Sequence, residues 1–192
     1  ACQRYQPSQQ KEPLLQDKPE FALDLVCMDL FEFKGTYLVA VDAFSGYPWM
    51  GKLNRLDTKA VTDMLEAWFA LFGLPRTIRS DGGPQFRGPF QEWCKEHNIK
   101  HVTSSPYNPQ SNGRAEAAVK NTKRIVQKCA DLNQNPMVAL REFRATPRED
   151  GYSPYELMFS RRMRSVIPEL PDDLDEDLAK LGKLAREEHA EK

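Results

Sequence analysis

Three acidic residues stand where a carboxylate would do chemistry. Asp29 interrupts an apolar run, in phase with Leu23, Leu25 and Cys27, and a carboxylate among such neighbours costs on the order of several kcal/mol unless something pairs with it. Asp81 follows the short run TIRS and opens Asp81-Gly82-Gly83-Pro84, a turn at a strand end, where sites collect. Glu116 comes directly after the turn-rich PYNPQSNG and begins a helical pattern. Taken singly, each has a structural reading: a buried acid bonded to backbone, a turn former, and a helix-start acid favoured by the macrodipole. Taken together, they form an oxygen-only donor set of the kind Mg²⁺ or Mn²⁺ prefers. Two such ions held by three carboxylates would activate an attacking water or 3′-hydroxyl and stabilise the leaving oxygen of an in-line displacement at phosphorus.

Strands must deliver the two aspartates and a helix the glutamate. FALDLVCMDLFEF (21–33), TYLVAVDAFSG (36–46) and PWMGKLN (48–54) read as a three-strand meander broken at Lys34-Gly35. Asp57 or Thr58 caps a helix whose apolar positions Val61, Met64, Leu65, Trp68, Phe69 and Phe72 keep helical spacing up to Gly73 and Pro75. A strand over Thr77 to Ser80, a helix over Pro89 to His97 and a strand over Lys100 to Ser104 follow. A long helix is expected from Asn112 or Gly113 to Asp131, then Pro136 to Arg144, then Ser153 to Phe159. The last has Pro154 in its first turn and a capping box, Ser153 with Glu156. This order predicts an α/β fold, a five-stranded mixed sheet flanked by helices.

The ends differ in composition. Residues 1–20 lack apolar periodicity and read as a linker, 21–168 as the core, and 169–192 as an acidic tail or linker. Residues 1–168 carry 23 Lys/Arg against 19 Asp/Glu, and 169–192 carry 4 against 9, so a body of +4 is joined to a tail of −5. Within 114–164 the count is 11 basic to 6 acidic, which suits a phosphate-contacting surface if those side chains share a face. No apolar run nears the ~20 residues of a membrane span, and no signal-peptide pattern opens the chain, so a soluble protein is expected. Cys2, Cys27, Cys94 and Cys129 form no CxxC pair, which argues for a reducing compartment, with Cys27, Cys94 and Cys129 as small core residues. Trp49, Trp68 and Trp93 are expected in the core, and His97 and His101 in ordinary surface or packing roles.

At the carboxylates the sequence becomes specific. SDGGPQF (80–86), SSPYNPQSNGRAEAAVK (104–120) and TPREDGYSPYELMFSRRMR (146–164) closely resemble the integrase catalytic core of gypsy-type LTR retrotransposons and, more distantly, of retroviruses. The resemblance covers residues 21–168. It implies an RNase H-like fold and a DDE triad of metal ligands, with Asp29, Asp81 and Glu116 in the three positions and two Mg²⁺ or Mn²⁺ ions per site. It further implies a mobile loop over Tyr107 to Gly113 that contacts DNA, with Tyr107, Gln110, Ser111 and Asn112 as contacts. Lys120 and Lys123, four and seven residues beyond Glu116, share its helical face, and in the family basic residues there bind DNA ends. Asp81 and Glu116 are separated by 34 residues, one fewer than the family's usual spacing, with the shortening inside 86–90. Cys2 resembles the last ligand of the family's N-terminal His-His-Cys-Cys zinc domain, whose other ligands are absent from 1–20.

The implied function is DNA integration by a DDE-type polynucleotidyl transferase with endonuclease activity, performing 3′-end processing and strand transfer. Its partners would be element-end and target DNA and further copies of itself, with Val138, Leu140 and Phe143 as candidate contacts. No membrane partner is expected, and the setting would be the nucleus or an intracellular nucleoprotein particle. Two other readings compete. An RNase H-type nuclease shares fold and metals but not PYNPQSNGRAE, and a catalytically idle, host-recruited remnant would act as a DNA- or protein-binding module.

Overall fold

The structure is a computed structural model that describes residues 19–103, 113–149 and 151–166, with the backbone alone for 113–116. Five strands form one sheet: β1 (Leu25–Glu32), β2 (Thr36–Asp42), β3 (Pro48–Leu53), β4 (Thr77–Ser80) and β5 (Lys100–Thr103), in the order β3-β2-β1-β4-β5. The meander pairs antiparallel, whereas β4 joins β1, and β5 joins β4, in parallel. The mixed sheet expected from the sequence is therefore present, with the Asp29 strand at its centre.

Alternation along β1 and β2 divides the core in two. Val26, Met28, Leu38 and Ala40 face α1 (Thr58–Phe72) and α2 (Pro89–Glu96), packing with Val61, Leu65, Phe69, Phe90 and Cys94. Leu25, Val39 and Val41 face the other way, against Ala118, Val119 and Val126 of α3 (Gly113–Asp131) and Leu140 of α4 (Pro136–Ala145). Asp57 caps α1 by accepting from the Ala60 N–H. The short α5 (Pro154–Phe159) starts with both halves of its capping box made. Tyr155 and Phe159 of α5 join Tyr47, Trp49 and Phe72 in an aromatic cluster that pins α5 to the α1 side of the sheet.

Several expectations need correction. The first strand begins at Leu25, not Phe21, because Leu23 takes a positive φ of 67° and turns the chain. The Leu23 N–H is then held by Asp42 and its carbonyl by the Arg76 N–H. Leu140 is fully buried in the core and is no candidate for a dimer contact, although Val138 is exposed. Trp49 is buried, while Trp68 and Trp93 lie at the core's margin. A 3-10 turn at Pro84–Phe86 was not anticipated. No described helix is long and apolar enough to cross a membrane.

Candidate active site

β1 and β4 pair in parallel, with Asp29 on the first and Asp81 just past the end of the second. Leu25 lies opposite Thr77, Val26 opposite Ile78 and Cys27 opposite Arg79; Asp29 follows two residues after the last of these pairs on β1, and Asp81 two residues after it, just past β4. Parallel neighbours lie about 4.8 Å apart, so the pairing brings two segments far apart in the chain side by side in the sheet.

Each aspartate is held differently. Asp29 shares the α3-facing phase of β1, between Cys27 and Phe31. It is not the buried acid that its apolar neighbours implied: its side chain is 37% exposed, and its Oδ2 accepts a bond from Lys123 Nζ at 2.6 Å. The Lys123 ammonium also sits over the Phe31 ring, 5.6 Å from its centroid. Asp81 is exposed just past β4, with Oδ1 accepting from the Gly83 N–H at 3.1 Å to close a tight turn. Arg87 Nε and Thr58 Oγ1 brace this turn by donating to the carbonyls of Gly82 and Gln85. Beneath it, the buried Ser80 hydroxyl donates to the Asp81 carbonyl and bonds His101 Nε2 at 2.9 Å. Burial lowers the pKa of the His101 imidazole, which favours the neutral ring in this packing role.

Position 116 lies in the first turn of α3, the helix covering Asp29's face of the sheet. At 100° per residue, positions 116 and 123 share one helical face, about 10 Å apart along the axis. Lys123 of this helix reaches Asp29. The Glu116 side chain lies outside the described residues, as do Tyr107, Gln110, Ser111 and Asn112. Lys120 is exposed on α3. Among the described residues no three acidic, His or Cys side chains cluster as a metal site, a set that holds only two of the three candidate ligands. Those two fit a hard cation: both are oxygen donors, one on β1 and one just past its parallel neighbour β4, and Asp29 already balances its charge against an ammonium.

Two further polar features escaped sequence reasoning. Asp42, at the end of β2, is the fully buried carboxylate among the described residues. It accepts from the Leu23 N–H (2.8 Å), the Ser45 N–H (2.7 Å) and the Ser45 hydroxyl (2.5 Å). The Asp-x-x-Ser spacing before Gly46 was the available signal. Arg144 and Arg148 clamp the β2–β3 hairpin. Arg144 makes two bonds to the Pro48 carbonyl and stacks on Tyr47, and Arg148 donates to the carbonyls of Ser45 and Gly46. The basic residues of 114–164 therefore do not share one phosphate-facing surface.

Residues 21–109 match the integrase core domain family. The segment is homologous to retroviral integrase cores. An uncharacterized Caenorhabditis elegans protein is 36% identical over 141 residues, covering 69% of this chain and 11% of the relative. The Gag-Pro-Pol polyprotein of Simian retrovirus SRV-1 is 40% identical over 91 residues, 47% of this chain and 5% of the relative. The Pro-Pol polyprotein of Feline foamy virus is 30% identical over 131 residues, 64% and 11% respectively. The integrase-like chain thus spans about a tenth or less of the length of these relatives. Among solved structures, a chain of the simian T-cell lymphotropic virus intasome in complex with PP2A regulatory subunit B56 gamma superposes with a TM-score of 0.66 at 24% identity, covering 81% of this chain and 61% of that one. The catalytic core domain of BIV integrase gives 0.63 at 24%, with 71% and 94% covered. The HTLV-2 integrase catalytic core in complex with magnesium, in its dimeric form, gives 0.58 at 22%, with 74% and 99% covered. These likenesses establish the integrase-type, RNase H-like fold.

Proposed function

We propose that this chain is the catalytic core of a DDE-type integrase of the gypsy class, a polynucleotidyl transferase that processes DNA 3′ ends and joins them to target DNA. The observation that supports the reading is the parallel pairing of β1, which carries Asp29, with β4, which ends at Ser80 directly before Asp81, in a sheet covered by α3. These three residues would hold two Mg²⁺ or Mn²⁺ ions, which supply activation of the attacking hydroxyl and stabilisation of the leaving oxygen. The chain's own part is placement. A central strand fixes Asp29, a braced turn fixes Asp81, and exposed Lys120 lies where it can meet a phosphate. The strings SDGGPQF and SSPYNPQSNGRAEAAVK support the gypsy class, and Tyr107, Gln110, Ser111 and Asn112 contact DNA in this reading.

Residues 21–168 act as the core in this proposal, with 1–20 as a linker and 169–192 as an acidic tail or linker. DNA ends, target DNA and further copies of the chain are the partners, in the nucleus or an intracellular nucleoprotein particle. Purified protein with Mn²⁺ and a branched, disintegration-type DNA substrate gives strand-transfer products, and Asp81→Asn abolishes them. Products that persist in Asp81→Asn overturn the assignment. Cleavage of an RNA–DNA hybrid in place of strand transfer points to an RNase H-type nuclease. Duplex binding with neither Mn²⁺ binding nor chemistry points to an idle remnant.

A further inference from the structure

Lys123 carries an inference that rests on the metal-site reading above and extends it. The family resemblance assigns this lysine to DNA, yet here its ammonium lies 2.6 Å from Asp29 Oδ2, and its side chain is only 29% exposed. Two residues of β1 hold it: Asp29 by charge and Phe31 by its ring face. Across the sheet from Asp29 stands Val39, which offers no charge. Among the described residues, Lys123 is the cation recorded at Asp29.

An ammonium on Oδ2 and a divalent ion about 2.1 Å from the same carboxylate would stand a few ångströms apart and repel strongly. One must yield. We propose that Lys123 is the resident counter-cation of Asp29, which a divalent ion displaces, so that metal loading releases the lysine to a DNA phosphate. Metal and DNA then favour each other through one side chain. The coupling is reciprocal by thermodynamic necessity: a phosphate that draws Lys123 away from Asp29 strengthens metal binding by the factor by which metal strengthens DNA binding.

The test is Mn²⁺ affinity by titration calorimetry on the full chain, with and without a short DNA duplex. Without DNA, Lys123→Met binds Mn²⁺ more tightly than wild type by about fivefold or more, the lower end of typical coupling. Lys123→Arg, which keeps the charge, stays within about twofold of wild type, as does Lys128→Met, which removes an exposed charge from the same helix. Duplex DNA tightens Mn²⁺ binding to wild type but not to Lys123→Met. Equal tightening in Lys123→Met and Lys128→Met, or none in either, overturns the counter-cation role while leaving the metal site intact. A wild-type protein that binds no Mn²⁺ overturns the metal-site reading itself, and the inference with it.

Discussion

Burial raises the pKa of the Asp42 carboxyl above its ordinary value, by more than the bonds from Ser45 and Leu23 lower it. The folded state therefore holds this proton more tightly than the unfolded chain does. Asp42's contribution to stability is greatest in acid and falls as pH rises from 3.8 through the raised folded-state value. Asp42→Asn removes that slope. It also turns an amide group toward two donors of Ser45 or forces a repair, at a cost of about 1–3 kcal/mol. Urea melts of the two proteins between pH 3 and 7 measure both effects. Asp29 is partly exposed and paired with Lys123, so its neutral replacement should cost little stability while removing a proposed metal ligand.

Among the elements, α5 depends on its cap. Burial alone would raise the Glu156 pKa, but bonds from the Ser153 N–H and hydroxyl and from Arg162 outweigh it and hold the carboxyl below its ordinary value. That stability is present above 4.5, the unfolded value, and is lost as pH falls through the depressed one. Ser153→Ala should destabilise the fold by about 1 kcal/mol, and near-UV circular dichroism from the Tyr47–Trp49–Phe159 cluster will report the loosening. Arg144 and the exposed α3 residues separate two uses of basic side chains. Arg144→Ala should lower thermal stability and leave DNA affinity near that of wild type, since its guanidinium is spent on the Pro48 carbonyl and the Tyr47 ring. Lys120→Ala or Arg124→Ala, both exposed on α3, should do the reverse, reducing the salt slope of DNA binding by about one per residue. Fluorescence anisotropy against salt, beside a thermal melt, distinguishes the two classes.

For the molecule as a whole, the net charge of −1 conceals a body of +4 and a tail of −5. A chain ending at 168 should bind duplex DNA more tightly than the full sequence at low salt. The difference should shrink as added salt shortens the screening length to about 8 Å near 0.15 M. Anisotropy titrations of both chains at two salt concentrations measure this. Equal affinities at low salt would mean that the acidic tail does not act on the DNA-binding surface.

The element order, the caps at Asp57 and Ser153, and the Asp81 turn were legible in the sequence because each depends on neighbours a few residues away. The motif strings likewise carried the family likeness without any coordinates. Tertiary structure decided what long-range pairing controls. The β1–β4 register puts residues 52 positions apart side by side. The positive φ at Leu23 depends on Asp42, and Leu140 is buried because α4 lies under the sheet. The fate of the charges was settled in the same way. Lys123, Arg144 and Arg148 look alike in a sequence, where net charge and helical spacing cannot show which carboxylate or carbonyl lies within reach. Only the packing of α3 and α4 on the sheet turned one toward Asp29 and the other two into the β2–β3 hairpin.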